Sequence, residues 1–340
     1  MAKKPAPNAP MEALLAEALP DGLGWQYEPK WDGFRCLARR DGDEVELISK
    51  SGKPLARYFP DMVERIAAMK AKRFLIDGEL VIPAGDALSF EALQLRLHPA
   101  ESRVRKLALA TPADFILFDI LELDGARLAD EPQGIRRAAL EKFFADNPAD
   151  GIQLSPATTD HVTALGWLMK SGGALDGVIA KRLDLPYRHG ERAMIKVKQR
   201  RTADCVVGGF RYASKAREVG SLLLGLYDEE GILHHVGFTS AISASDRPQL
   251  TKLVEKLRGG PGFTGRAPGG PSRWSNARSE EWEALKPELV VEVRYDQVTD
   301  RRFRHGTALL RWRPDKAPEQ CTFEQLAPAL NPAKLRALFG

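Results

Sequence analysis

Short apolar stretches separated by polar turns run through the first 200 residues of the chain. Alternating or continuous apolar residues predict strands at 44–49, 74–82 and 114–121. Helical periodicity predicts helices near 60–70, 133–146 and 161–170. The stretch 74–82 contains Asp77-Gly78, a dipeptide typical of tight turns, so we expect two short strands joined as a hairpin there.

The pattern changes near residue 200. Residues 199–204 are polar and charged without apolar periodicity, which favours a linker able to act as a hinge. The residues that follow predict one helix at 244–257 and strands at 204–210, 219–227, 232–239, 288–298 and 307–313. Five strands and one helix in about 135 residues are typical of an OB-type barrel, a fold that often binds nucleic acid. We therefore expect a flexible tail at 1–10, a first domain at 11–200 and a second domain at 201–340.

The composition is that of a globular protein, with 44% hydrophobic and 28% charged residues among 340. Cys36, Cys205 and Cys321 lie far apart and form no CxxC pair. This argues against a disulfide framework or a four-cysteine zinc site and fits a reducing cytoplasm. No stretch reaches the roughly 18 apolar residues of a membrane span, so we expect no membrane partner.

The net charge of +4 is unevenly distributed along the chain. Residues 1–204 carry 30 basic and 30 acidic side chains, whereas residues 205–340 carry 20 and 16, so the whole excess lies in the second predicted domain. A basic domain favours a polyanionic partner, although a solvated surface of mixed charge gives the same count.

The segment from Glu28 to Arg35 places Lys30 in an unusual setting. Pro29 restricts the backbone before the lysine and Gly33 permits a turn after it, so the Lys30 side chain is aimed by a stiff frame. A free lysine has a pKa of about 10.4, which leaves roughly one amine in 2500 neutral at pH 7 and costs a nucleophile about 4.6 kcal/mol. Desolvation, neighbouring cations or a metal would lower that cost. The alternative is a surface lysine in a turn.

Further candidate residues lie on or just after predicted strands. Glu79 follows the expected turn, where its carboxylate faces either a cleft or solvent. Asp119 interrupts an apolar run, so it is either a hydrogen-bonded core residue or part of a metal site. The adjacent Phe118 either stacks on a base or packs in the core. Lys196 and Lys198 alternate with apolar residues and project from one strand face, where two cations can bracket a phosphate.

Taken in order, these segments resemble the motifs of the covalent nucleotidyltransferase superfamily, and specifically those of the small bacterial ATP-dependent DNA ligases. The resemblance covers nearly the whole chain. Its six elements are Lys30-Trp31-Asp32-Gly33-Phe34-Arg35, Asp77-Gly78-Glu79, Phe118, Asp176-Gly177-Val178-Ile179-Ala180-Lys181, Lys196-Val197-Lys198 and Arg313-Pro314-Asp315-Lys316. Each element is weak alone, and their common order and spacing carry the resemblance.

The resemblance implies a role for each motif. The implied catalytic residues are Lys30, which takes the AMP group, with Lys196 and Lys198. The implied nucleotide-binding residues are Glu28, Arg35, Glu79, Phe118, Lys196, Lys198, Arg313 and Lys316. The implied metal ligands are Glu79 and Asp176, and the candidate DNA contacts are Lys50, Lys53, Lys215 and Arg217. Two positions depart from the family pattern, because glutamate is more usual at Asp176 and arginine at Lys50.

The resemblance also implies an α+β fold. We expect a nucleotidyltransferase domain of antiparallel sheets with flanking helices, followed by an OB-fold barrel. The implied cofactors are ATP and a divalent metal, Mg²⁺ or Mn²⁺. The implied partner is nicked double-stranded DNA, bound by a monomer, and repair proteins as further partners are not readable from the sequence. Only 29 residues precede Lys30, whereas the family's large ligases carry a long helical DNA-clamping domain there. The cysteine-rich modules of the NAD-dependent ligases are also missing, which favours ATP.

Two alternatives to a DNA ligase stay open. One is an RNA ligase or a GTP-using capping enzyme of the same superfamily, because the contacts that choose the base are not readable from the motifs. The other is a nucleic-acid-binding OB protein with an inactive first domain, which the intact Lys30, Glu79, Lys196 and Lys198 argue against.

Overall fold

The computed structural model describes residues 9–84, 87–170, 175–199, 201–214, 216–269, 281–304 and 306–326. The described residues form two compact units, one within residues 9–199 and one within residues 201–326.

The first unit consists of mostly antiparallel sheets with flanking helices. Its strands are β1 (Glu12–Leu15), β2 (Trp25–Lys30), β3 (Phe34–Asp41), β4 (Glu44–Ser49), β5 (Arg73–Val81), β6 (Pro83–Ala84), β7 (Ala87–Leu88), β8 (Asp114–Leu123), β9 (Ala126–Arg127), β10 (Ile152–Leu154), β11 (Gly177–Arg182) and β12 (Arg192–Val197). Its helices are α1 (Pro60–Ala68), α2 (Phe90–Arg96), α3 (Glu101–Ala110), α4 (Gln133–Asp146) and α5 (His161–Lys170), with a 3-10 helix at Ala56–Tyr58.

Two larger sheets organise this unit. One has the strand order β1-β12-β11-β2, and the other has the order β10-β8-β5-β3-β4 with β9 paired to β8. The pairs β1/β12 and β10/β8 are parallel, and the others are antiparallel. Apolar residues of α1, α4 and the second sheet share one core, which includes Met62, Ile66, Ile76, Leu117 and Phe143.

The expected hairpin at residues 74–82 is wrong, because β5 runs unbroken through Asp77 and Gly78. Both edges of β5 are paired, with β3 on one side and β8 on the other. A β-carbon at Gly78 would lie 2.6 Å from the carbonyl oxygen of Ile116, so glycine is required here by a close approach between strands. Hydrogen bonding of β5 to strands on both of its sides outweighs the turn preference of the Asp-Gly dipeptide.

The last two residues of the expected tail are packed against the first unit. Pro10 is buried, and the carbonyl oxygen of Ala9 lies 3.2 Å from Nδ1 of His189. Met11 is 3% exposed, and its backbone N–H donates to the Tyr187 hydroxyl. Residues 1–8 lie outside the described residues.

The second unit is built on one antiparallel sheet. Its elements are β13 (Arg201–Tyr212), β14 (Val219–Tyr227), β15 (Leu233–Thr239), α6 (Arg247–Lys256), β16 (Glu283–Ala284), β17 (Val290–Tyr295), β18 (Val298–Thr299), β19 (Arg302–Phe303) and β20 (Ala308–Trp312), with 3-10 helices at Pro318–Gln320 and Phe323–Gln325. The strand order is β15-β14-β13-β17-β20, and a parallel bridge between Thr239 and Thr307 joins the two ends of that order. This closure is that of an OB-fold barrel. Together the two units confirm the predicted α+β fold class.

Most of the segment expected to be a hinge, residues 199–203, lies in a strand, because β13 begins at Arg201. Arg201, Thr202 and Ala203 pair in register with β17, and Ala203 is 2% exposed. The charged residues around position 200 suggested a linker, but the pairing partner of this segment lies about 90 residues further along the chain, beyond the reach of local pattern.

Candidate active site

A cavity of about 1050 Å³ lies in the first unit. Residues of both larger sheets line it, together with the segment that follows β4. Lys30, Arg35, Glu79, Phe118 and Lys196, which are distant in sequence, all contribute to its wall. Glu28, Lys50 and Lys53 line it as well. These motif residues therefore meet at one concave surface, whereas Asp176 and Lys198 are not part of its wall.

Strand register explains how one side of the cavity is built. Glu28 pairs with Ile179, and Ile179 pairs on its other side with Lys196. Because paired residues of adjacent strands point to the same face, and every second residue of a strand does too, Lys30 shares this face. The alternating pattern of β2 thus directs its polar residues into the cavity.

Lys30 is held by a carboxylate. Its Nζ atom lies 2.6 Å from Oδ2 of Asp176, whose Oδ1 lies 3.2 Å from Nζ of Lys198. Burial alone would raise the pKa of Asp176, but the Lys30 and Lys198 charges hold it below its usual value. Gly177 permits this approach, since its φ of +146° disfavours other residues and a β-carbon would lie 2.1 Å from the carbonyl oxygen of Val197.

The ammonium group of Lys196 is a third positive charge near those of Lys30 and Lys198. Desolvation by burial lowers the pKa of Lys196, and the charges of Lys30 and Lys198 lower it further. Three cations around one carboxylate leave an excess of positive charge at the cavity wall, as a phosphate-binding site requires.

Glu79 lies on β5, opposite Arg35 of β3. Its Oε1 accepts a hydrogen bond of 3.2 Å from the backbone N–H of Gly33. Burial raises the pKa of Glu79 to about 7, against the opposing charges of Lys30 and Arg35. A β-carbon at Gly33 would lie 2.2 Å from the carbonyl oxygen of Leu80, so this glycine lets the nucleophile segment approach β5. Gly33 lies in the bend between β2 and β3, and its lack of a side chain also permits this close packing.

Arg35 is oriented by residues that the sequence did not single out. Asp77 accepts from Nε and Nη2 of Arg35 at 3.1 and 2.6 Å, and the Tyr187 hydroxyl donates to the same carboxylate at 2.6 Å. The Asp77 side chain is fully buried. Asp77 was visible only as part of an Asp-Gly pair, and Tyr187 carried no signal in the sequence.

Phe118 enters the cavity at an irregularity of β8. Asp77 pairs with Asp119 and Gly78 pairs with Leu117, so Phe118 is the extra residue of a β-bulge. Bulges change the direction of a side chain and are frequent beside active sites. Arg35 and Lys181 lie 5.3 and 5.1 Å from the centre of the Phe118 ring.

Glu28 belongs to a buried polar network. Its carboxylate accepts from Nε2 of Gln26 at 2.6 Å and lies 2.9 Å from Nζ of Lys181, which is 3% exposed. Lys181 also donates to the carbonyl oxygen of Phe118 at 3.0 Å. The sequence identified Lys181 only as the last residue of a motif. A lysine on an otherwise apolar strand was the signal that could have indicated its place in a buried polar network.

Asp119 is a satisfied core residue and not a metal ligand. Arg136 donates to both of its oxygens, at 2.8 and 3.0 Å, and the Ile120 N–H donates at 3.0 Å. Burial would raise the pKa of Asp119, but Lys181 and Arg136 hold it below its usual value. The structure thus decides between the two alternatives that the sequence left open.

The described residues could hold a divalent cation with only one or two protein ligands. No group of three or more His, Cys, Asp or Glu side chains that could hold a metal exists in the part of the chain that the structure describes. Mg²⁺ binds through one or two carboxylates and substrate phosphates, so such a cluster is not required. Glu79 fits this role, since a cation would favour the ionised form of a carboxyl whose pKa is raised. Asp176 fits less well, because ammonium groups lie against both of its oxygens.

The candidate DNA contacts are scattered. Lys50 is 57% exposed and lies 3.3 Å from Glu12, beside the cavity. Arg217 is 78% exposed, 3.8 Å from Glu255 and 5.9 Å from the Tyr212 ring centre. Lys215 lies outside the described residues.

Arg313 and Lys316 lie together in the second unit, on the segment after β20. Asp204, which the sequence did not single out, lies 2.8 Å from Nη1 of Arg313 and 2.7 Å from Nζ of Lys316. Asp315 lies 2.9 Å from Nη2 of Arg313. The two cations are therefore paired with carboxylates of their own unit.

Both units match families of known proteins. Residues 11–198 match the ATP dependent DNA ligase domain, and residues 215–316 match the ATP dependent DNA ligase C terminal region. The chain belongs to the ATP-dependent DNA ligase family. The resemblance stated from its motifs is therefore confirmed. This ligase is 46% identical over 336 residues to DNA ligase C1 of Mycolicibacterium smegmatis, and the match covers 95% of each chain. It is 44% identical over 342 residues to DNA ligase C of Mycobacterium tuberculosis, covering 96% of this chain and 95% of the relative.

Solved structures agree with this family. The ligase domain of M. tuberculosis LigD is 28% identical, with a TM-score of 0.50, over 93% of this chain and 98% of that one. A Lig E DNA ligase at 19% identity has the same fold, with a TM-score of 0.55 over 89% of this chain and 99% of that one. Among the described residues, no helix has the length and apolar character needed to cross a membrane.

Proposed function

We propose that this ligase seals nicks between a 5′-phosphate and a 3′-hydroxyl in duplex DNA, with Lys30 as the residue that carries AMP. In the first step Lys30 attacks the α-phosphorus of ATP and pyrophosphate leaves. AMP then passes to the 5′-phosphate of the nick, and the 3′-hydroxyl displaces AMP to form the phosphodiester bond. The supporting observation is that Lys30, Glu79, Phe118 and Lys196 line one cavity, and that Lys198 shares the Asp176 carboxylate with Lys30.

The base of ATP is proposed to bind against Phe118. An aromatic ring turned into a cavity offers a stacking surface for a base, worth about 1–3 kcal/mol. Ile179 and Met194 line the same cavity and supply an apolar wall. Glu28, whose carboxylate is fixed by Gln26 and Lys181, supplies polar contacts to the edge of the base.

The phosphates are proposed to bind the cations of the same cavity. Lys196 and Lys198 stabilise the charge that moves onto phosphate oxygens in each step. Arg35 offers its guanidinium to a phosphate while Asp77 holds it in place. In the second unit, Arg313 and Lys316 bind the β- and γ-phosphates that leave as pyrophosphate. Divalent metal, Mg²⁺ or Mn²⁺, would be held by Glu79 with a contribution from Asp176, and its charge would stabilise the phosphate oxygens.

Nicked DNA is the proposed macromolecular partner, bound by a monomer. Lys50 and Lys53 lie beside the cavity and are candidates for phosphate contacts near the nick. Arg217, with Lys215, is a candidate for contacts from the second unit. The three buried free cysteines fit a reducing compartment such as the cytoplasm.

The test is covalent labelling followed by sealing. The protein is incubated with Mg²⁺ and each of the four ribonucleoside triphosphates labelled at the α-phosphate, then denatured and separated. Label is expected from ATP alone, and labelling by GTP would instead indicate the capping class of enzyme.

The labelled protein is next given nicked duplex DNA and nicked duplex RNA of the same sequence. Sealing of DNA is expected, and exclusive sealing of RNA would overturn the proposed substrate. Absence of any label with every nucleotide would leave only the inactive nucleic-acid-binding alternative.

A further inference from the structure

The guanidinium of Arg313 is surrounded by carboxylates. Its Nη1 donates to both oxygens of Asp204, at 2.8 and 3.0 Å, and its Nε and Nη2 donate to Asp315 at 2.9 Å. Nζ of Lys316 donates to Asp204 at 2.7 Å. Every nitrogen of the guanidinium thus donates to a carboxylate, which leaves at most two of its five N–H groups for a phosphate.

The two carboxylates hold Arg313 with different strength. The side chain of Asp204 is 11% exposed, whereas that of Asp315 is 64% exposed. Ion pairs removed from water are less screened by solvent and salt, and Asp204 is also paired with Lys316. Asp315 can therefore exchange Arg313 for water readily, and Asp204 is the partner with which a phosphate must compete.

Asp204 itself cannot follow a departing cation. It lies in β13, in register with Glu292 of β17. Its N–H donates to Oε1 of Gln325 at 2.9 Å, and its carbonyl oxygen accepts from Nε2 of the same side chain at 3.1 Å. With its backbone fixed on both groups, the carboxylate keeps one position relative to the barrel.

The local charges also cancel. Arg313 and Lys316 carry two positive charges, and Asp204 and Asp315 carry two negative charges within 3 Å of them. A polyphosphate is attracted to net positive charge, which this group lacks while both carboxylates are engaged.

We propose that Asp204 is a latch, a positioning residue that competes with the pyrophosphate moiety of ATP for Arg313 and Lys316. The latch rests on the proposed function, in which these two cations bind the leaving pyrophosphate. It keeps them oriented between catalytic cycles and weakens their grip on pyrophosphate, so that the product is released after the first step.

The reverse of the first step measures this competition directly. An oxygen of pyrophosphate attacks the α-phosphorus of the Lys30–AMP adduct, the P–N bond breaks, and Nζ of Lys30 leaves with the electron pair and takes up a proton. The products are ATP and free enzyme. The loss of labelled AMP from the isolated adduct, followed at increasing pyrophosphate concentration, gives a half-saturating concentration and a maximal rate.

The test compares Asp204→Asn with the wild type in this reaction, using the full chain. Removal of the competing charge is expected to lower the half-saturating pyrophosphate concentration by about threefold to tenfold, the range for a partly screened charge pair. The maximal rate is expected to stay the same or to fall as product binds more tightly. Sealing of a nick already adenylated at its 5′ end, which involves no pyrophosphate, should be unchanged.

Glu292→Gln is the matched control. Glu292 accepts a hydrogen bond from Nε of Arg311 at 2.6 Å. Glu292→Gln therefore removes one negative charge near Arg313, as Asp204→Asn does, but it frees Arg311 and not Arg313. A change of less than about twofold in half-saturation is expected. If Glu292→Gln lowered the half-saturating pyrophosphate concentration equally, the effect would come from the net charge of the region, and the latch would be wrong. A half-saturation in Asp204→Asn that is unchanged or higher would also overturn it.

Asp204→Ser provides a second neutral variant if the asparagine variant does not fold. If neither variant folds, Asp204 is a structural requirement of the barrel and the latch is wrong. Failure of the proposed function gives a different result, because the wild type would then form no Lys30–AMP adduct, or pyrophosphate would not reverse it.

Discussion

Lys30 and Asp176 are joined twice, once through their side chains and once through their backbones. Nζ of Lys30 lies 2.6 Å from Oδ2 of Asp176, and the backbone N–H of Asp176 donates to the carbonyl oxygen of Lys30 at 2.9 Å. The register of β2 and β11, which pairs Lys30 with Gly177, imposes both contacts. The proposed nucleophile is therefore positioned by a neighbouring strand as well as by its own turn.

The first prediction concerns Asp176. Asp176→Asn removes the charge that orients Lys30 and Lys198, and a poorly placed nucleophile reacts about 100-fold more slowly. The rate of protein–AMP formation should fall by about tenfold to 100-fold. Asp176→Glu restores the charge and should retain most of the rate. Equal loss in both variants would mean that the exact reach of the carboxylate matters more than its charge.

The second prediction concerns Lys30. Lys30→Ala should abolish the labelled adduct while the melting temperature changes little, because the side chain faces a cavity and is 25% exposed. Lys30→Arg should fail equally, since arginine stays protonated and cannot attack phosphorus. Labelling is measured on denatured protein. A persistent adduct in either variant would assign the nucleophile to another residue.

The third prediction concerns Phe118. Phe118→Ala should raise the ATP concentration for half-maximal adduct formation by about 30-fold, the equivalent of about 2 kcal/mol of stacking. Phe118→Trp preserves a stacking surface and should change it by much less. Thermal unfolding serves as the control, because Phe118 is a partly exposed bulge residue whose loss should cost little stability. An alanine variant with wild-type nucleotide dependence would place the base elsewhere.

The fourth prediction concerns binding to nicked DNA. If about six phosphates are neutralised, affinity should fall about 10³-fold between 50 and 200 mM salt. Arg217→Ala should reduce the slope of log affinity against log salt by about one. The matched control is Arg105→Ala, which removes another exposed arginine, one that is paired with Glu101 on helix α3 of the first unit. Affinity that is independent of salt would contradict phosphate contacts altogether.

The fifth prediction separates the steps of the reaction. Arg313→Ala combined with Lys316→Ala should greatly slow protein–AMP formation but spare sealing of a nick supplied already adenylated, because pyrophosphate takes part only in the first step. Both reactions are measured on the same preparation. Equal losses in the two would indicate that these residues serve DNA binding or folding of the barrel.

Much of this protein could be predicted from its sequence. Lys30, Glu79, Phe118 and Lys196 carry the resemblance to the nucleotidyltransferases, and the family matches confirm the ligase. The helix at Gln133–Asp146 has the bounds that the sequence predicts. Motif chemistry and local periodicity are properties of contiguous residues, so the printed chain contains them.

Tertiary structure decided what depends on distant neighbours. Asp77-Gly78 has the composition of a turn, yet two flanking strands draw it into β5. Asp119 became a core residue because Arg136 and Lys181 reach it from other elements, and Phe118 turned into the cavity because β5 and β8 pair with a bulge. Asp204 stands 109 residues before Arg313 and gave no signal in the sequence. Register, burial and ion pairing across such separations arise only when the chain is folded, and they set which of two chemically reasonable roles each residue takes.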